Sequence, residues 1–279
     1  MEVESLDGGR LFVSRQHLPL LQENGLDTFS RVMALPEGFL RRDFPGRRTS
    51  RLELRRPGGG VQTVYLKRYF PEYLSGMSRR FRRLRGASID EARDEWEAGI
   101  QISALGIPTL DMIARGQDVS ETNAVRSSFI MTAELAGAEE GHHYAKKLNR
   151  VERRRLLRKV AELTRRLHSA GWVHKDLYLG HYLVKPTQPD PPVFLIDLQR
   201  CTQPNCFVQR WRIKDLGALA YSSLKAGVSA SDLAAAYRIY RANRPLDASS
   251  RRLARQVLRR VSWLKTRTPK HDTDFEQLR

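Results

Sequence analysis

The fold of this chain turns on one stretch, Gly171-Trp172-Val173-His174-Lys175-Asp176-Leu177-Tyr178-Leu179-Gly180-His181-Tyr182-Leu183-Val184. Upstream of it, Asn149 with Glu152 three residues on makes a capping-box start. Leu156, Val160, Leu163 and Leu167 then follow at spacings of 4, 3 and 4, marking one apolar helical face that Gly171 ends. Downstream, His181 leads into an apolar extended run, and a second such run, Val193-Phe194-Leu195-Ile196, closes on Asp197. The spacing therefore predicts a long helix, a turn carrying His-x-Asp, and a strand pair ending in an acid. A carboxylate held at the end of a rigid strand suits a metal ligand, although a strand-end Asp taken alone is more often a turn cap.

Toward the N-terminus the pattern is that of strands. Arg51-Leu52-Glu53-Leu54-Arg55 alternates with period two, Pro57-Gly58-Gly59-Gly60 is a turn, and Val61 to Tyr69 resumes an extended pattern, so a hairpin is expected. Lys67 sits inside its apolar second arm; a lone lysine there reads equally well as an edge residue facing water. Ser88 to Leu105 reads as a helix ended by Gly106 with Pro108 beyond, and it carries Glu95 beside Trp96. Leu110 to Ala114 and Ser128 to Leu135 read as strands, and Ala136 to Gly141 as a connector. Beyond Asp197 strand signals stop, and helices are expected near 211–224, 231–243 and 248–265. The fold class is thus α+β, with a strand-rich N-terminal lobe over 1–135 and a helical C-terminal lobe over 136–279.

Composition narrows the partners. The 279 residues carry 49 Lys plus Arg against 31 Asp plus Glu, a formal charge of +18, and 41% are hydrophobic, which excludes a disordered chain. No run of about 18 apolar residues occurs, so no spanning helix is expected. Met1-Glu2-Val3-Glu4 is acidic and leads into no apolar run, which argues against a secretory signal and for the cytoplasm. Cys201 and Cys206 cannot form a disulfide framework and read as packing thiols, and His142-His143 read as solvent-exposed. Arg79, Arg80, Arg82, Arg83 and Arg85, interrupted by Phe81 and Leu84, are either a solvated linker or a patch facing anionic lipid. Arg153, Arg154, Arg155 and Arg158, and Arg251, Arg252, Arg255, Arg259 and Arg260, spread the charge further.

A His-x-Asp turn followed five positions on by a polar residue and then by a strand is the layout of a kinase catalytic loop. With Leu66-Lys67-Arg68, Glu95-Trp96, Leu105-Gly106-Ile107-Pro108-Thr109, Ile196-Asp197-Leu198-Gln199-Arg200 and Lys214-Asp215-Leu216, the chain resembles the bilobal protein-kinase-like fold over roughly residues 30–225. Within it, His181 makes the lipopolysaccharide kinase family the best match, whose members phosphorylate Kdo or heptose sugars of the inner core.

That resemblance implies ATP and Mg²⁺, with chemistry that is mostly positioning and charge neutralisation. Lys67 would hold the α- and β-phosphates, steadied by Glu95. Asp176 would be the base toward the acceptor hydroxyl, and Asp197 the Mg²⁺ ligand. His181 would fill the slot of a second metal contact, or touch phosphate or substrate instead, since Mg²⁺ prefers oxygen. His174 and Asp215 would buttress the loop from behind. An anionic glycolipid would be the acceptor, at the inner face of the cytoplasmic membrane.

Departures from the wider fold also carry information. No Gly-x-Gly-x-x-Gly precedes the hairpin; the phosphate-facing loop would lie near Arg41 to Arg51, where Arg47-Arg48-Thr49 are either phosphate donors or solvated. Only eighteen positions separate Asp197 from Asp215, too few for a long regulated peptide platform. The alternatives are a kinase of another acceptor (protein Ser/Thr/Tyr or a small alcohol) and a non-catalytic basic binding module. Nucleic-acid recognition lacks any recognised motif or aromatic platform, and oligomeric state is not legible.

Overall fold

The computed structural model describes residues 1–44, 46–70, 90–121, 125–187 and 190–267. The Arg79–Arg85 cluster and Ser88, where the sequence pattern starts a helix, lie outside the described residues. The described residues divide into two compact units, one within Met1–Ile100 and Leu110–Glu134, the other of Gln101–Thr109 with the described residues from Leu135 to Arg267. Among the described residues, no helix is long and apolar enough to cross a membrane.

The first unit is built on an antiparallel sheet in the order β1-β2-β6-β7-β5-β4-β3. Its strands are β1 (Val3–Leu6), β2 (Leu11–Ser14), β3 (Phe39–Phe44), β4 (Arg47–Arg55), β5 (Val61–Tyr69), β6 (Met112–Val119) and β7 (Val125–Ala133). The expected hairpin is β4–β5, in register from Arg47↔Tyr69 to Arg55↔Val61. Gly58, Gly59 and Gly60 turn it with φ of 82°, 105° and 81°, a region that side chains rarely tolerate. Two short helices, α1 (Leu18–Glu23) and α2 (Phe29–Met33), cover one sheet face. Leu20, Leu21, Phe29 and Val32 pack there on Leu52, Leu54, Val64, Leu66, Phe129 and Met131. The other face meets α3 (Glu91–Ala104) through Tyr69, Ala92, Trp96, Met112 and Ile130. Asp90 opens α3, its carboxylate accepting the Arg93 backbone N–H at 3.1 Å.

The side-chain period of two decides where Lys67 goes. Val64 and Leu66 belong to the first core and Tyr69 to the second, so Lys67 shares the face of α3. β5 is flanked by β4 and β7, which removes the edge-strand reading of this lysine.

After Leu135 the second unit continues with β8 (Glu139–Glu140), inside the stretch that the sequence reads as a connector, and α4 (Gly141–Lys147), which starts at that connector's last residue. Next comes α5 (Arg150–Ser169), opened by the expected capping box of Asn149 and Glu152. Leu156, Val160, Leu163 and Leu167 are all buried, and Gly171 follows at φ 82°. β9 (Tyr182–Val184) pairs with β8 and with β10 (Val193–Leu195) in a three-stranded sheet. Helices α6 (Val208–Lys225), α7 (Ala230–Tyr240) and α8 (Ala248–Arg267) complete the unit. The cysteines are free, but only Cys201 is buried; Cys206 is exposed because the loop before α6 turns it outward, so only Cys201 suits the packing reading.

Candidate active site

In the first unit, Lys67 Nζ lies 2.6 Å from Glu95 Oε1, and the Tyr69 hydroxyl donates to Glu95 Oε2 at 3.3 Å. Both oxygens of the carboxylate are therefore held, one by each of two side chains two residues apart on β5. The pair is nearly enclosed, with side-chain exposures of 14% and 2%. Burial of this kind is tolerable only because each charge has its partner. Lys67 thus has a fixed ammonium on a central strand. The nearby arginines are individually engaged: Arg48 pairs with Glu37 at 2.6 Å, Arg51 with Glu134 at 2.8 Å, and the Arg47 guanidinium lies 5.4 Å from the Tyr69 ring centre.

In the second unit, the His-x-Asp turn is held from behind by a buried chain of hydrogen bonds. Asp215, fully buried, accepts the His174 backbone N–H at 2.8 Å and faces His168 Nε2 at 3.3 Å. His168 Nδ1 faces the Tyr240 hydroxyl at 2.9 Å. His174 Nε2 donates to the Ile196 carbonyl at 3.0 Å, tying the loop to the residue just before Asp197. Burial pushes the His174 pKa down, which keeps the ring neutral and that donor arrangement intact. Burial likewise pushes Tyr240 up to about 12, so it remains a hydroxyl donor.

The front of the loop gathers three ionisable side chains. Asp176, His181 and Asp197 each offer a ligand atom, all within 4.8 Å of one another. A carbonyl can only accept, so the 2.6 Å contact of His181 Nδ1 with the Asp176 carbonyl fixes the proton on Nδ1. Nε2 is left to face Asp197 Oδ2 at 3.5 Å. A backbone carbonyl that accepts the N–H of one ring nitrogen in this way turns the other nitrogen toward a cation. Asp197 sits at φ 60°, ψ 53°, in the left-handed region, ahead of a 3-10 turn over Leu198–Arg200 to which its side chain gives no cap. The turn-cap reading of this acid is therefore set aside. Two carboxylates and one imidazole fit a divalent ion, the oxygens suiting Mg²⁺ and the nitrogen being its weaker donor.

Two cations near Asp176 are not identifiable from residue pattern. Arg200 Nη1 lies 3.5 Å from Asp176 Oδ2. Lys214, half-buried, has its pKa lowered by burial and raised by Asp176, the foremost of the opposing charges. Its ammonium and that of Lys175 lie 5.6 and 5.0 Å from the Trp211 ring centre. Both residues stand in the motifs quoted above, next to the acids that drew attention, and sequence order alone gives them no role.

The model of the lipopolysaccharide kinase (Kdo/WaaP) family matches residues 41–240, most of the chain. The chain belongs to this family. It is therefore a kinase. Among curated relatives it is 30% identical to the lipopolysaccharide core heptose(I) kinase WaaP of Pseudomonas aeruginosa, over 88% of this chain and 91% of that one. It is 28% identical to the protein of the same name from Escherichia coli K12, over 77% of this chain and 82% of the relative. A solved structure of WaaP in complex with acyl carrier protein matches with a TM-score of 0.68 at 28% identity, covering 92% of this chain and 97% of that one. The bilobal kinase-like fold read from the motifs is thereby shown.

Proposed function

We propose that this lipopolysaccharide kinase transfers the γ-phosphoryl group of ATP, with Mg²⁺, to a heptose hydroxyl of the inner core. The observation that carries the reading is the meeting of Asp176, His181 and Asp197 on the loop and strand end of the second unit, in a chain of this family. Lys67, oriented by Glu95, binds the α- and β-phosphates. Asp197, with His181 Nε2 beside it, would hold Mg²⁺, which when bound would neutralise phosphate charge. Asp176 accepts the proton of the acceptor hydroxyl and aligns the oxygen for attack. Arg200, 3.5 Å from Asp176 Oδ2, orients the carboxylate that takes the proton. His174 and Asp215 keep loop and metal strand in register and touch no substrate.

The acceptor is an anionic glycolipid, so the +18 chain works at the inner face of the cytoplasmic membrane, bound peripherally through basic surface. The test is ATP turnover by purified protein on dephosphorylated core glycolipid, with mass spectrometry of the product. Addition of one phosphate to heptose is expected, and Asp176→Asn should lower kcat by at least about 10²-fold, the usual contribution of a base, while circular dichroism stays unchanged. Phosphate on another sugar, or a wild-type rate in Asp176→Asn, overturns the reading.

A further inference from the structure

A second cluster of metal-capable groups lies outside this machinery. Glu140, His142 and His143, at the start of α4, offer ligand atoms all within 4.8 Å of one another. His142 Nδ1 is 3.4 Å from Glu140 Oε2, and the two imidazole centres are 3.9 Å apart. Consecutive side chains on a helix ordinarily point about 100° apart, so two neighbouring rings this close show that the helix start gathers them. Both histidines are half-buried, contrary to the exposed reading of the sequence, because α4 is seated on the catalytic loop.

That seating is specified by two glycines. A Cβ on Gly141 would stand 2.6 Å from the Leu179 carbonyl oxygen and 2.9 Å from that of Tyr182, so only glycine lets α4 approach the loop this closely. A Cβ on Gly180 would stand 2.9 Å from His142 Nδ1 and 3.6 Å from Glu140 Oε2. Gly180 is not among the residues with positive φ, so its backbone does not demand glycine. What glycine preserves there is space, and the donor atoms of His142 and Glu140 border that space. Gly180 immediately precedes His181.

We propose that Glu140, His142 and His143 form a binding site for a divalent transition metal, Zn²⁺ the best match, seated against the loop that carries Asp176 and His181. Two imidazoles and one carboxylate are the donor set of three-ligand zinc sites, whose fourth position is left to water or another ligand. Bond lengths of about 2.0–2.2 Å place neighbouring tetrahedral ligand atoms about 3.3–3.5 Å apart. The Glu140–His142 separation already meets that edge, and side-chain rotation brings His143 in. Mg²⁺, which takes oxygen, is the wrong ion for this set. The site differs in donor chemistry from the Asp176–His181–Asp197 group and stands independently of the acceptor proposed above.

The experiment uses full-length protein stripped with chelator and carrying Asp197→Ala, which silences the other cluster. Zn²⁺ is titrated by calorimetry and Co²⁺ by visible absorption. One Zn²⁺ per chain and the intense spectrum of tetrahedral Co²⁺ are expected. Adding His142→Ala or His143→Ala should weaken Zn²⁺ at least about tenfold, the scale on which even outer-shell losses register. Gly180→Ala should weaken it as well, by filling the space. Should an alanine variant not fold by circular dichroism, His143→Gln, similar in bulk, gives the same reading. Absence of Zn²⁺ binding in Asp197→Ala, or equal affinity without either imidazole, overturns the proposal.

Discussion

Asp197 holds its carboxylate on left-handed backbone, at φ 60°. Asp tolerates that region better than most residues, yet it is retained there only where the surroundings demand it. Those surroundings are two hydrogen bonds to Ile196, its carbonyl accepting from His174 and its N–H donating to the His181 carbonyl at 2.9 Å. The aim of the acid is therefore set by the loop that carries Asp176, which argues for one shared task. Asp197→Ala should abolish Mg²⁺-dependent ATP binding, whereas Lys67→Ala should weaken ATP while leaving a Mg²⁺ response. Calorimetry with and without Mg²⁺ separates the two, and unchanged Mg-ATP affinity in Asp197→Ala would show that another group holds the ion. Asp176 and Asp197 were legible as acids in a turn and at the end of an apolar strand, whereas Lys67 and Glu95 took their candidate roles from the family resemblance. Arg200, Lys214, His168 and Tyr240 were not legible, because their roles arise from contacts between distant segments that no local spacing records.

Elements differ in how clearly the sequence announces them. α5 combines a capping box, a four-residue apolar stripe and a terminal glycine, and each agrees with the others. α1 and α2, of six and five residues, are too short to show a period. α4 begins at a glycine chosen for closeness to the loop, so the residue that ordinarily signals a break starts a helix instead. At the start of α7, Ser229 accepts the Asp232 backbone N–H at 3.1 Å and its hydroxyl donates to Asp232 Oδ2 at 2.7 Å. Arg154 of α5 pairs with the same carboxylate, and these hydrogen bonds hold the Asp232 pKa below its ordinary 3.8. A carboxylate whose folded pKa is depressed stabilises above the unfolded pKa and loses that contribution as pH falls through the folded one. Asp232→Asn should thus lower stability at pH 7 by about 1 kcal/mol, since Arg154 is half-exposed. The gap between variant and wild type in thermal unfolding should close below about pH 4, where the unfolded Asp also takes its proton. A gap that persists to lower pH would mean that packing, not charge, joins α7 to α5.

For the molecule as a whole the decisive quantity is charge. An excess of +18 is far more than one catalytic site requires, and arginine recurs on α5, on α8 and in the stretch Arg79 to Arg85. Of the basic residues on α8, Arg251, Arg252, Arg255 and Arg259 are exposed, with Leu258 and Trp263 also outward-facing. Apolar and cationic side chains on one helix surface match the boundary of an anionic bilayer. Attraction between exposed charges is screened over about 8 Å at physiological ionic strength. Raising salt should therefore raise KM for a glycolipid acceptor far more than KM for ATP, whose phosphates are, on the proposed reading, met by the enclosed Lys67 and by Mg²⁺. Replacing Arg79, Arg80, Arg82, Arg83 and Arg85 by Gln should mimic high salt, raising glycolipid KM at least about tenfold, even if only part of about 1 kcal/mol per residue is realised. Vesicle flotation should weaken in parallel, while kcat at saturating substrate stays within about twofold, since none of these arginines is the proposed base, a role that contributes about 10²-fold or more. If glycolipid KM and vesicle binding are both unmoved, that stretch is a solvated linker. Repeating the substitution on Arg251, Arg252, Arg255 and Arg259 then decides whether α8 binds anionic vesicles or the proposed membrane contact is dropped.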